Sequence, residues 1–144
     1  MLYKQLFPAF YVKLLDAYAS ETSALGTWKT IGYAKPGDTS FDYNEDQSTL
    51  SVTCAKGKAN TDNTACEKEE DEDPVVGSST YEKAWTASNK ADLNECTKGE
   101  NWIIAATIGE NNSATTTAGT VSYTSSVKTD ECKTLTPNFE AIGQ

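Results

Sequence analysis

The sequence predicts an α+β domain: an N-terminal amphipathic α-helix packed on an antiparallel β-sheet, with disulfide-stapled loops. Three observations predict it. Apolar and aromatic residues in the first 25 positions recur at three- and four-residue steps, the period of one helix face. After Gly26 the apolar residues alternate in short runs separated by polar stretches, the period of half-buried strands. One helix followed by about five such runs is the α+β order, with the sheet antiparallel. Four cysteines, Cys54, Cys66, Cys96 and Cys132, lie far apart with no C-x-x-C pair, which fits two disulfides and an oxidising compartment better than a zinc or thioredoxin-type site.

The helix is expected over residues 2–24. Tyr3, Phe7, Phe10, Tyr11, Leu14, Tyr18 and Leu25 fall in one broad arc, which Leu2, Leu6, Val12 and Leu15 widen; Gln5, Asp16 and Ser20 lie opposite. The face expected to meet the sheet is Phe7, Phe10, Leu14 and Tyr18. Pro8 fits a first turn, or kinks a helix that continues upstream. Gly26 supplies the stop.

Residues 28–33 read as a short extended run, closed by Lys35-Pro36-Gly37-Asp38. Phe41 and Tyr43 alternate with polar neighbours, as do Leu50, Val52 and Cys54. Residues 81–87 form another candidate strand. Residues 102–108 are the most apolar run and are expected to be central in the sheet. In residues 121–127, Val121, Tyr123, Ser125 and Val127 share one face. Two stretches offer nothing to a core: the acidic run 67–73 and the Thr/Asn/Ala/Gly stretch 111–119, both expected to be exposed loops. There is no internal repeat. The reading is a single structural domain, 1–144, with a helical segment 1–26 and a β-sheet segment 27–144 carrying a disulfide-bounded C-terminal region.

Composition narrows the function. Twelve basic residues against 21 acidic ones give a net charge of −9, which opposes phosphate backbones and anionic membrane surfaces, so no nucleic-acid partner is expected. The chain has no histidine, which removes the usual general base and the commonest transition-metal ligand. No catalytic residue, cofactor or metal is expected, and the chain is read as a non-enzyme. Asp42, Asn44 and Asp46 open like a calcium loop, but Gln47 stands where Gly is needed and Thr53 where the closing carboxylate belongs. The run 67–73 reads as a solvated loop rather than a calcium site. Asn111-Asn112-Ser113 is a formal glycosylation sequon. Trp28, Trp85 and Trp102 would form a sugar-stacking platform only if exposed; each lies in a strand-like run and reads as core.

The junction Leu-Leu-Asp-Ala-Tyr-Ala-Ser-Glu-Thr-Ser-Ala-Leu-Gly-Thr-Trp at 14–28 resembles that of type IV pilins and type II secretion pseudopilins, where a long helix ends in an Ala-Tyr-rich turn and leads through small residues into the sheet. Trp28-Lys29-Thr30-Ile31-Gly32-Tyr33, the stretch from Trp85 to Asn89, and Leu93-Asn94-Glu95-Cys96 are similar to pilins whose sheet is followed by a Cys-bounded region. The family's specific signature, a cleavage site before Phe followed by a hydrophobic helix with an embedded glutamate, is not among these residues. The resemblance implies a pilin-like structural subunit of an extracellular filament, exported through the inner membrane to the cell surface. It would act through assembly and display, such as adhesion, and would carry N-terminal methylation. It implies a homo-oligomeric filament through the N-terminal helix of the full-length protein. It implies membrane contact only through an upstream segment, a monomeric soluble part, and Asp130 and Glu131 as the nearest match to a C-terminal calcium loop. The alternative reading is a secreted, disulfide-stabilised binding or adhesion module, with carbohydrate as one possible ligand.

Three cysteine pairings are open. The favoured one joins Cys54 to Cys66, clasping a loop with no apolar residue larger than alanine, and Cys96 to Cys132, tying two strands and the C-terminal region to the sheet. In pilin-like proteins a bridge of the second kind closes the C-terminal part of the domain.

Overall fold

The structure, a computed structural model, describes residues 8–22, 24–37, 40–54, 78–109 and 120–144. A helix comes first and an antiparallel sheet follows. Helix α1 spans Ala9–Thr22 and starts directly after Pro8, whose carbonyl accepts the Val12 N–H at 3.0 Å. Proline is well placed there, because it needs no N–H at a helix start. Residues 1–7 of the expected helix lie outside the described residues.

The second element departs from the sequence reading. Residues 28–31 are not extended but form a one-turn helix, α2 (Trp28–Ile31). Thr27 caps it by accepting the Thr30 N–H, and Gly32 closes it in the left-handed region at φ 78°. A Thr before the turn and a Gly after it outweigh the β-leaning Trp-Lys-Thr-Ile. Gly26 is not the stop of α1 either, since that helix ends at Thr22. Gly26 lies in a buried link where an added Cβ would come within 2.6 Å of Thr30 Oγ1 and 2.7 Å of Ile31 Cγ2. Its role is close approach rather than helix termination.

Five strands follow among the described residues: β1 (Phe41–Asn44), β2 (Leu50–Thr53), β3 (Ser78–Asn89), β4 (Gly99–Ile108) and β5 (Val121–Val127). All pairings are antiparallel. The 12-residue β3 carries both β1 and β2 on one side, β1 along its second half and β2 along its first. A 3₁₀ turn, Gln47–Thr49, bridges the two at a register shift in β3 between Tyr81 and Trp85. There Asp46 N–H donates to the Lys83 carbonyl and Lys83 N–H to Thr49 Oγ1, both at 3.0 Å. On the other side of β3 lies β4, the most apolar strand and central as expected, then β5 at the edge.

One cluster gathers Tyr11, Leu15 and Ala19 of α1, Trp28 and Ile31 of α2, and the inward residues of all five strands. On β5 those are Tyr123, Ser125 and Val127, as the alternation predicts. The chain closes with helix α3 (Asp130–Lys133) and a 3₁₀ turn, Phe139–Ala141, whose Phe139 is buried against Trp85 with ring centroids 6.0 Å apart.

Candidate functional site: helix face and disulfide-bounded region

The helix face turned to the sheet is Tyr11, Leu15 and Ala19, each fully buried. This corrects the expected face by one residue, about 100° around the axis. Phe10 is 65% exposed, Leu14 and Tyr18 are half-buried on the rim of the core, and Phe7 lies outside the described residues. The sequence arc was centred on the largest side chains. In the observed rotation the Tyr123 hydroxyl of β5 donates to Asp16 Oδ1 at 2.7 Å, and the small Ala19 is fully buried. Phe10 instead lies against Tyr33, at 6.4 Å between ring centroids, at the end of an aromatic row running inward through Trp28 and Tyr11. Burial drives the hydroxyl pKa of Tyr33 upward.

A half-buried carboxylate holds this corner together. Glu45 accepts the Trp28 N–H at 3.1 Å, the Tyr81 hydroxyl and the Gln47 side-chain amide, so it joins the start of α2 to β3. Burial and then the Glu45 hydrogen bond push the Tyr81 pKa upward. Nothing in the sequence pattern singled Glu45 out, because its three partners lie on separate elements.

All three tryptophans are buried, and each indole N–H has a partner: Ala84 carbonyl for Trp28, Tyr33 hydroxyl for Trp85 and Thr136 Oγ1 for Trp102. They are core residues and present no stacking platform to a sugar.

The disulfide Cys96–Cys132 is formed, with Cα atoms 4.7 Å apart. Cys54 is also disulfide-bonded, while the expected pairing with Cys66 lies outside the described residues. Around Cys96, buried Asn101 donates to Asn89 Oδ1 at 2.7 Å and to the Thr97 carbonyl at 2.8 Å, and Asn89 donates to the carbonyls of Ala91 and Cys96. The two asparagines thus satisfy the buried backbone of the β3–β4 connection. The bridge ties this connection to α3, whose N-terminus Thr129 caps. Between them opens a cavity of about 380 Å³, floored by Leu93 and Leu135 and rimmed by Glu95, Asp130 and Glu131.

Asp42 Oδ1 is paired with Lys35 at 2.9 Å, which together with Asn44 holds its carboxyl below the usual range. Asp46 is spent capping Ser48. Asp130 and Glu131 sit in the first turn of α3. Among the described residues no three His, Cys, Asp or Glu side chains converge. The acidic run 67–73 and the sequon at 111–113 lie outside the described residues. Among the described residues no helix is long and apolar enough to cross a membrane. In comparisons with protein-family models, curated proteins and solved structures, nothing matches this chain.

Proposed function

We propose that this chain is the globular part of a type IV pilin-like filament subunit, working through assembly and surface display rather than catalysis. The observation that carries the reading is the exposed side of α1. The helix leads into an antiparallel sheet and buries Tyr11, Leu15 and Ala19 on it, yet it keeps Phe10 on the outside, the one large apolar side chain so exposed among the described residues. A helix that leaves one aromatic side chain, Phe10, outside its own core suits a subunit whose helix meets both its own sheet and a neighbour. The bridged C-terminal region, held by Cys96–Cys132, would then be the face displayed on the filament. Export to an oxidising compartment accords with the three disulfide-bonded cysteines, Cys54, Cys96 and Cys132.

Mass spectrometry of the N-terminal peptide of the endogenous protein tests this. A filament subunit should begin at a processed, methylated residue followed by a hydrophobic helix with an embedded glutamate. An endogenous protein that starts near residue 1 with no such segment, or that stays out of the sheared filament fraction, would overturn the reading.

A further inference from the structure

Among the described residues β5 is an edge strand, and how its edge is covered points to a partner. The bond from Lys128 N–H to the Asn101 carbonyl sets the parity of the β4–β5 ladder, in which Lys128 and Asn101 extend the register. Even-numbered residues of β5 therefore bond to β4, while Val121, Tyr123, Ser125 and Val127 turn their backbone N–H and C=O groups outward. The C-terminal residues 140–144 run back along this edge. The Glu140 carboxylate lies near the Val127 N–H, which helps to hold its pKa down, while Ser125 Oγ donates to the Ile142 carbonyl at 2.9 Å and Gln144 Nε2 to the Tyr123 carbonyl at 2.8 Å. The contacts descend by two on β5 as they ascend by two on the tail. The tail thus flanks the edge from the inward side, reaching the Ser125 hydroxyl and the Tyr123 ring as well as the outward Tyr123 carbonyl. Most of the outward backbone groups of β5 have no partner among the described residues.

Exposed strand edges are usually blunted by lysine, proline or bulges. Val-Ser-Tyr-Thr-Ser-Ser-Val has none of these, carries no charge and is nearly palindromic about Thr124. The geometry points to β5 of a second copy as the partner, paired antiparallel across a two-fold axis at Thr124, with residues 140–144 acting as a strap that guards the edge until displaced. In that register Val121 faces Val127, Ser122 faces Ser126 and Tyr123 faces Ser125. The outward residues form the hydrogen-bonded pairs, and Thr124 meets itself in a non-hydrogen-bonded pair. No like charges oppose each other on the paired strands. The proposal is independent of the filament reading, whose contacts run through α1.

Gly143 is the point at which to release the strap. It sits at φ 80°, and a Cβ there would lie 2.6 Å from Tyr123 Cβ, so Gly143→Val must push the tail off β5. The reporter is Thr124→Cys, because non-hydrogen-bonded antiparallel pairs place Cα atoms about 4.5 Å apart, within disulfide range. Thr124→Cys alone should stay largely monomeric under mild oxidation. Combined with Gly143→Val it should give a disulfide-linked dimer on a non-reducing gel, and Gly143→Val alone should sediment as a dimer with at least tenfold higher affinity than the parent. Thr124→Lys should abolish that dimer. If Gly143→Val loses its near-ultraviolet circular dichroism, the surface pair Glu140→Ala with Gln144→Ala releases the strap and is read the same way. A folded, released variant that sediments as a monomer, or a dimer that Thr124→Cys does not trap, overturns the pairing. Equal trapping with the strap intact overturns the guard.

Discussion

Tyr11 is the place where a conservative substitution should stabilise this protein. Its side chain is fully buried under the sheet, and its hydroxyl has no hydrogen-bond partner among the described residues. Burial, with the nearby Glu45 charge second, pushes its pKa upward, so the hydroxyl stays neutral. A buried hydroxyl without a partner costs about 1–3 kcal/mol relative to water. Tyr11→Phe removes that cost and keeps the ring, with its contacts to Trp28 and Tyr33, while opening almost no space. The expected gain is about 1–2 kcal/mol, or a Tm higher by roughly 3–8 °C for a chain of this size. The same substitution at Tyr123 or Tyr81 should have the opposite sign. Both hydroxyls donate to carboxylates, Asp16 and Glu45, and hydrogen bonds to charged groups are worth about 1.5–3 kcal/mol. Urea unfolding followed by tryptophan fluorescence measures all three variants in one series. If Tyr11→Phe loses more than about 1 kcal/mol, as the other two should, the hydroxyl is partnered and the reasoning fails.

The remaining predictions use the same baseline. The three tyrosines hold their protons more tightly folded than unfolded, so their contribution is complete below the ordinary value of 10.0 and is lost as pH rises above it. Stability should then fall by about 1.4 kcal/mol per pH unit for each tyrosine, and Tyr11→Phe should remove one share of that slope in urea melts at alkaline pH. Leu15→Ala should cost about 2–5 kcal/mol and Phe10→Ala under about 0.5, by the same unfolding assay; similar losses at both would restore the originally expected helix face. Replacing Cys96 and Cys132 together by alanine opens a loop with a sequence separation of 36 and should cost about 2–4 kcal/mol, read as a lower urea midpoint. Glu140 is held below the ordinary carboxylate range by Lys133 at 2.8 Å, so its small contribution is present at neutral pH and lost on acidification; Lys133→Ala should move its titration, followed by NMR, up toward the usual value.

The sequence announced the elements whose signal is local. Strand β5 was bounded to the residue because Val121, Tyr123, Ser125 and Val127 alternate with hydroxyl residues and both flanks are polar. The central place of β4 followed from its apolar run, since a strand with neighbours on both edges and a helix on one face loses most of its contact with water. At residues 28–31 the caps decide against an extended run. Thr27 and Gly32 were both visible in the sequence, and with them a single helical turn was the better reading. The same holds for α3, where Thr129-Asp130-Glu131 is a cap followed by an acidic first turn.

What could not be read were the features that depend on which elements become neighbours. Asp16 of α1 is bonded to a hydroxyl 107 positions away, on Tyr123, and no periodicity within the helix encodes that bond. Glu45 lies between two strands in a turn-like stretch, where a carboxylate is ordinarily solvated, and becomes a clasp only because α2 and Tyr81 are brought to it. The tail is the extreme case. Residues 139–144 have neither alternation nor helical period, so nothing local says that they order. Their order is imposed from outside: Phe139 is sunk against Trp85, Gly143 turns in the left-handed region against Tyr123, and between them the chain bonds to Ser125 and Tyr123 of β5. A segment placed by an anchor at one end and a turn at the other can be dislodged without disturbing the core. A strand held in the middle of the sheet, such as β4, cannot, and that difference is why the proposed exchange is placed at the edge of β5.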